Sequence, residues 1–162
     1  MAAKKAKQKP FDWTRFYLKI SINASPEKVF RAWTYAPEIS KWFTVKTEFE
    51  AKKNGRIHFE WLGGDKMDDK VIAITKNRRL VMPFGTKGEK VEISITKNGK
   101  GSICTLTQYD MKTTTKDKIN MHMGCKQGWT FFLANLKSYL EHGIDLRSHN
   151  PKQSYRQHFI NS

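Results

Sequence analysis

From Phe16 to Ile22 the chain alternates. Phe16, Leu18, Ile20 and Ile22 fall on one side, and Tyr17, Lys19 and Ser21 on the other. That period of two predicts a half-buried strand. In NASPEKVFRAW the period lengthens. Ser25 is placed to cap a helix and Pro26 suits its first turn, after which Val29, Phe30 and Trp33 share a face. Ala36-Pro37 breaks this helix, and PEISKWF predicts a second short one. From Val45 to Met111 short alternating runs return between turn signals. RIHFEW sets Ile57, Phe59 and Trp61 on one face, and KVEISIT does the same for Val91, Ile93 and Ile95. KVIAIT and RLVMPF read as two more strands, and Asn98-Gly99 is a strong hairpin signal before GSICTLTQYDM. Such a run has one apolar and one wet face.

The last element is helical. At about 100° per residue, Met121, Cys125, Gly128, Trp129, Phe132, Leu133, Leu136, Tyr139 and Leu140 form one arc, opposite Lys126, Gln127, Thr130, Lys137 and Glu141. An amphipathic helix needs an apolar partner, and the sheet is the one of suitable size. The predicted fold class is therefore α+β: a curved antiparallel sheet of about seven strands wrapped on one long C-terminal helix, with two short helices after the first strand. Gly128 and Cys125 put small residues in the middle of the inward arc. They mark either a hollow or a close helix–sheet contact.

Composition changes little in this picture and adds a charge. The 162 residues suit one domain, and 38% hydrophobic content with ten Phe and five Trp argues for a packed globule. Lys and Arg number 30 against 15 Asp and Glu, a net charge of +15. This predicts weak, non-specific attraction to nucleic acid at most, because no zinc finger, RNA-binding signature or basic recognition helix accompanies it. Two separated cysteines, Cys104 and Cys125, make no disulfide framework and suggest a reducing, cytoplasmic setting. No apolar run reaches transmembrane length, and the N-terminus has no secretory h-region. Residues 1–10 read as a basic flexible arm, 11–147 as the domain, and 148–162 as a polar tail dispensable for the fold.

The order of elements and three stretches carry a resemblance. ASPEKVFRAWTYAPEISKWF resembles the opening signature of the START-like (SRPBCC) superfamily. NRRLV and GWTFFLANLKSYLEHGIDLR resemble its branch named for the activator of heat-shock-protein-90 ATPase. The likeness spans about residues 13 to 147 and implies a helix-grip (START/Bet-v-1-like) fold, with a deep cavity between sheet and long helix used for apolar molecules. It also implies a co-chaperone alternative, docking on heat-shock protein 90, although nothing here matches the namesake's N-terminal domain. A cyclase or dehydratase is the enzymatic alternative.

On this basis the expected cavity lining is Trp33, Trp42, Phe43, Phe59, Trp61, Leu106, Met121, Cys125, Gly128 and Phe132, and the expected ligand is a hydrophobic small molecule. No catalytic residue, metal or cofactor is expected. His122 and Cys125 stand three apart on a helix, but a zinc site needs three or four protein ligands, and His58, His142 and Cys104 form no second pair. Asp68-Asp69 reads as a solvated strand entrance. Phe131 lies off the apolar arc, either exposed to a partner or covered by the tail.

Overall fold

The structure, a computed structural model, describes residues 9–155 and 158–160; most of the expected basic arm lies outside the described residues. β1 (Phe16–Ile22) follows the predicted alternation and pairs antiparallel with β8 (Gly101–Tyr109), Leu18 opposite Leu106. Ser25 caps α1 (Pro26–Thr34) by accepting the Lys28 backbone N–H at 3.4 Å, and α2 (Ala36–Ile39) follows at once. α1 ends where it does because Pro37 cannot extend the helix before it, and Pro37 instead sits in the first turn of α2.

Among the described residues eight strands form two hydrogen-bonded sheets. Five run in the order β1-β8-β7-β6-β5, with β5 Ala73–Thr75, β6 Arg79–Pro83 and β7 Lys90–Asn98. Three more, β2 (Lys46–Phe49), β3 (Arg56–Glu60) and β4 (Lys66–Lys70), run in the order β2-β3-β4. The single strand expected at KVIAIT divides at Val71–Ile72. Val71 N–H turns to Gly55 and Ile72 N–H to Val81, so the chain hands over from β3 to β6 there. That bend curves the surface facing the helix.

The helical stretch begins at α3 (Thr115–Asp117), passes through a π-helical turn at Lys118–Met123 and continues as α4 (Gly124–His142). Gly143, with φ +69°, stops it by returning its N–H to the Tyr139 carbonyl at 2.8 Å. A π turn inserts one residue and rotates what precedes it by about 100° relative to an unbroken α-helix. His122 is consequently the buried residue of that turn, among the rings of Phe11, Trp13 and Phe16, while Met121 stands only half-buried. Among the described residues no helix is long and apolar enough to cross a membrane.

Beyond α4 the chain does not leave the domain. Asn135, wholly buried on α4, donates from Nδ2 to the Trp42 carbonyl (2.6 Å) and to Asp145 (3.0 Å), and its Oδ1 accepts the Leu146 N–H (2.7 Å). Arg147 then inserts its guanidinium beneath the α2–β2 loop, donating to the carbonyls of Thr44 (2.8 Å) and Ser40 (3.0 Å) and to Asp145.

Candidate functional site, a hollow beneath the long helix

The concave sheet and α4 do not meet everywhere. A β-carbon added at Gly128 would find no atom within 4 Å, and at Gly124 only the Ile119 carbonyl, at 3.7 Å. Close helix–sheet contact is therefore not the reason for the glycine. The space beside it is a cavity of about 730 Å³, bordered by Trp61, Phe84, Cys125, Phe131 and Phe132.

The expected lining residues divide into two groups. Trp61, Cys125, Gly128 and Phe132 border the cavity. Trp33, Trp42, Phe43, Phe59 and Leu106 do not; each is at most 2% exposed and belongs to the packed core. Helix α1 and the α2–β2 loop fill the end of the grip where these residues sit. Trp33 meets Trp42 edge-on at 4.7 Å, and Phe43 stacks on Trp129 at 5.2 Å. Met121 also falls outside the lining, because the π turn breaks the helical period on which its placement depended.

Two features of the site escaped sequence reasoning, and a third was one of the two alternatives read for Phe131. Phe84, just after β6, packs on Trp129 at 4.7 Å and meets Trp61 edge-on at 6.1 Å, so the two rings form adjoining parts of the border. Gln108 is wholly buried; its Nε2 donates to the Phe84 carbonyl (2.9 Å) and its Oε1 accepts from Trp129 Nε1 (3.0 Å). It carries the same inward parity as Ser102, Cys104 and Leu106, so a polar residue on the core side of β8 was a visible signal. The third is the tail. Tyr155 donates its hydroxyl to Asp65 at 2.5 Å and lies over Gly63, and Tyr155, Phe159 and Ile160 border the open side of the cavity beside Phe131.

The reactive groups near the hollow are subdued. Burial raises the Cys125 thiol, against a hydrogen bond to Gln108 that lowers it, and burial pushes Cys104 up to about 12. Neither is a thiolate nucleophile near neutral pH. Tyr139 is pushed up to about 12 by burial and by its bond to Glu38. His122 is not paired with Cys125: its Nδ1 lies 3.2 Å from the Trp13 carbonyl. Among the described residues no group of three or more His, Cys, Asp and Glu is placed to hold a metal.

The charged cluster sits elsewhere, on the outer face of β3. His58 bonds Glu60 through Nε2 and Asp68 through Nδ1, both at 2.8 Å. Those two hydrogen bonds, Glu60's the larger, raise its pKa above the ordinary histidine value. Folding then favours the protonated form. Its contribution to stability is complete below the unfolded value of about 6.5 and is lost as pH rises through the higher folded value. Denaturation midpoints from about pH 5 to about pH 9 should fall across that window, and His58→Gln should flatten the fall. An equal slope in the variant would exclude His58 as its source.

Residues 23–141 match the family described as Activator of Hsp90 ATPase homolog 1-like protein. The chain belongs to this family. Solved structures share its helix-grip fold. Protein SSP2350 from Staphylococcus saprophyticus is 22% identical, with a TM-score of 0.72 over 82% of this chain and 96% of its own. The Aha1 dimer from Colwellia psychrerythraea is 24% identical, with a TM-score of 0.69 over 80% and 97%. DynU16, from the dynemicin biosynthetic locus, is 19% identical, with a TM-score of 0.72 over 84% of this chain and 50% of its own. At these identities the likeness speaks for the fold alone. No curated protein sequence matches the chain. Membership of the Hsp90-activator family fits a ligand-binding or Hsp90-related role. The Asp145–Arg147 anchor and the wall residues Tyr155, Phe159 and Ile160 lie beyond the family-matched residues.

Proposed function

We propose that this chain binds an apolar small molecule in the cavity beneath α4, without covalent chemistry. The observation that carries the reading is the empty space at Gly128, in an interior that elsewhere packs aromatic rings in direct contact. Cores normally fill such volume, and about 730 Å³ is within the range of small-molecule sites. The aromatic border supplies the burial, and burial keeps the Cys125 thiol on that border protonated.

Nile red, an uncharged apolar dye, tests it. The wild type should take up the dye with a blue-shifted emission. Gly128→Leu places a side chain into the hollow and should weaken uptake by at least about tenfold. The same change should hold or raise stability, since leucine is the better helix former by roughly 1 kcal/mol and its β-carbon meets no neighbour. No uptake by the wild type, or strong destabilisation by Gly128→Leu, would show a solid core.

The family match alone favours a second reading, a co-chaperone acting on heat-shock protein 90. Stimulation of that ATPase by the purified chain is its direct test. Nucleic-acid contact stays at weak, charge-driven attraction in this proposal, from the net charge of +15.

A further inference from the structure

The outer flank of the long helical stretch combines two properties. Lys116, Ile119, Met123, Lys126 and Thr130 recur at intervals of three or four residues, and all five are exposed. Ile119 and Met123 are each 56% exposed. They stand about one turn apart across the π turn, where the Gly124 N–H bonds the Ile119 carbonyl. Asn120, Gly124, Gln127 and Phe131 run beside this flank and border the cavity. Phe159 and Ile160, which border the same cavity, are exposed as well. Apolar side chains therefore stand in solvent beside the open side of the hollow.

The same stretch is basic. Between Met111 and Leu140 there are five lysines and one acid. That acid, Asp117, is buried and held by the Lys87 ammonium at 2.6 Å, so it presents no negative charge beside the flank. Lys112, Lys116 and Lys126 are exposed. An exposed apolar pair between lysines suits one kind of partner. A nucleic-acid duplex engages the lysines through its phosphates but gains nothing from Ile119 and Met123. The buried centre of a protein interface is poor in lysine. The surface of an anionic bilayer uses both, since ammonium groups meet the headgroups while apolar tips enter the acyl boundary. The net charge of +15 draws the chain to the same surface. We propose that this flank docks on an anionic lipid membrane, lying on it and not crossing it, with the open side of the cavity beside the bilayer. The contact goes beyond the cavity reading and does not require a ligand in the hollow.

Sedimentation with vesicles tests it at about 0.15 M salt, where loose charge attraction is screened. The wild type should sediment with phosphatidylcholine vesicles containing about 30% phosphatidylserine and stay in solution with phosphatidylcholine alone. Ile119→Gln together with Met123→Gln should weaken the binding by at least about tenfold. The melting temperature and Nile red uptake of that variant should change little, because both side chains already stand in solvent and neither borders the cavity. Lys116→Glu together with Lys126→Glu should weaken vesicle binding by a similar factor. Tyr17→Gln alters a comparably exposed position on the outward side of β1 and should leave it at the wild-type level. A wild type that ignores the anionic vesicles overturns the proposal. So does binding that survives the Ile119 and Met123 changes, or that falls equally with Tyr17→Gln, since net charge alone would then hold the chain. A DNA duplex bound more weakly by the Ile119→Gln, Met123→Gln variant than by the wild type would assign the flank to nucleic acid and overturns the membrane reading. Vesicle binding is measured without dye, so loss of the docking surface and loss of the cavity show in different assays.

Discussion

Replacing Arg147 with alanine is expected to destabilise the domain by about 3–5 kcal/mol, although the residue lies outside the family-matched span. Its side chain is only 5% exposed, and it bonds the carbonyls of Ser40 and Thr44 and both carboxylate oxygens of Asp145. Alanine takes the guanidinium from the Asp145 carboxylate, which keeps the bonds from Asn135 and the Arg147 backbone N–H, and removes the Arg147 donors from two loop carbonyls in a poorly solvated site, which is why the cost exceeds that of a surface ion pair. For a chain of this size the melting temperature should fall by on the order of 10 °C. Arg147→Lys should recover only part of the loss, since one ammonium cannot reproduce a planar fork serving three acceptors. Acid provides an independent check. Burial pushes Asp145 upward, but bonds from Arg147 and Asn135 outweigh it and leave the carboxyl below the usual aspartate value. The pair's contribution is thus present above the unfolded value of about 3.9 and is lost as pH falls through the lower folded value. A loss below about 1 kcal/mol for Arg147→Ala would mean that the segment after α4 is not fastened as described.

Trp129→Ala should be of similar size, about 3–5 kcal/mol, and should also disturb the site. Trp129 is 2% exposed. It stacks on Phe43, packs on Phe84 at 4.7 Å, and donates Nε1 to Gln108. Alanine removes the ring that backs Phe84 and leaves Gln108 Oε1 unpaired in the interior. Nile red uptake should weaken along with stability, because the wall at Phe84 loses its support. Trp129→Phe separates the two parts. It retains most of the packing and loses the hydrogen bond, so about 1–3 kcal/mol is expected. Urea denaturation of the three proteins measures both steps. Equal stability of Trp129→Phe and wild type would show that the Gln108 bond contributes nothing net.

The elements were legible because each is specified by its own local period. The alternation from Phe16 to Ile22, the Ser25-Pro26 start and the Asn98-Gly99 turn all act within a few residues, and the structure has a strand, a helix start and a hairpin there. The long helix was legible for the same reason from Cys125 onward, and so was the small-residue notch at Gly128. The notch had two readings, contact or hollow, because a helical projection contains no information about how far away the sheet lies. The curvature from the β4–β5 handover at Val71–Ile72 decides that distance.

The lining was less legible. Aromatic type alone does not separate Trp61, at the cavity, from Trp42, in the core, because both are apolar and both face inward. Which one borders empty space depends on where α1 and α2 fill the grip. Met121 was misplaced because a π turn is not encoded by a period of 3.6 residues. Gln108 was readable as a polar residue at an inward position, but its role depends on Trp129 and the Phe84 carbonyl, which come from other parts of the chain. The sequence by itself determined the strands, the helices, their order and their inward faces, since these follow from interactions between near neighbours along the chain. Only the tertiary structure decided where volume is left over, which buried polar atoms find partners, and that the segment after α4 returns through Arg147 and Tyr155. Those depend on distances between residues far apart in sequence, and a periodic pattern carries no measure of them.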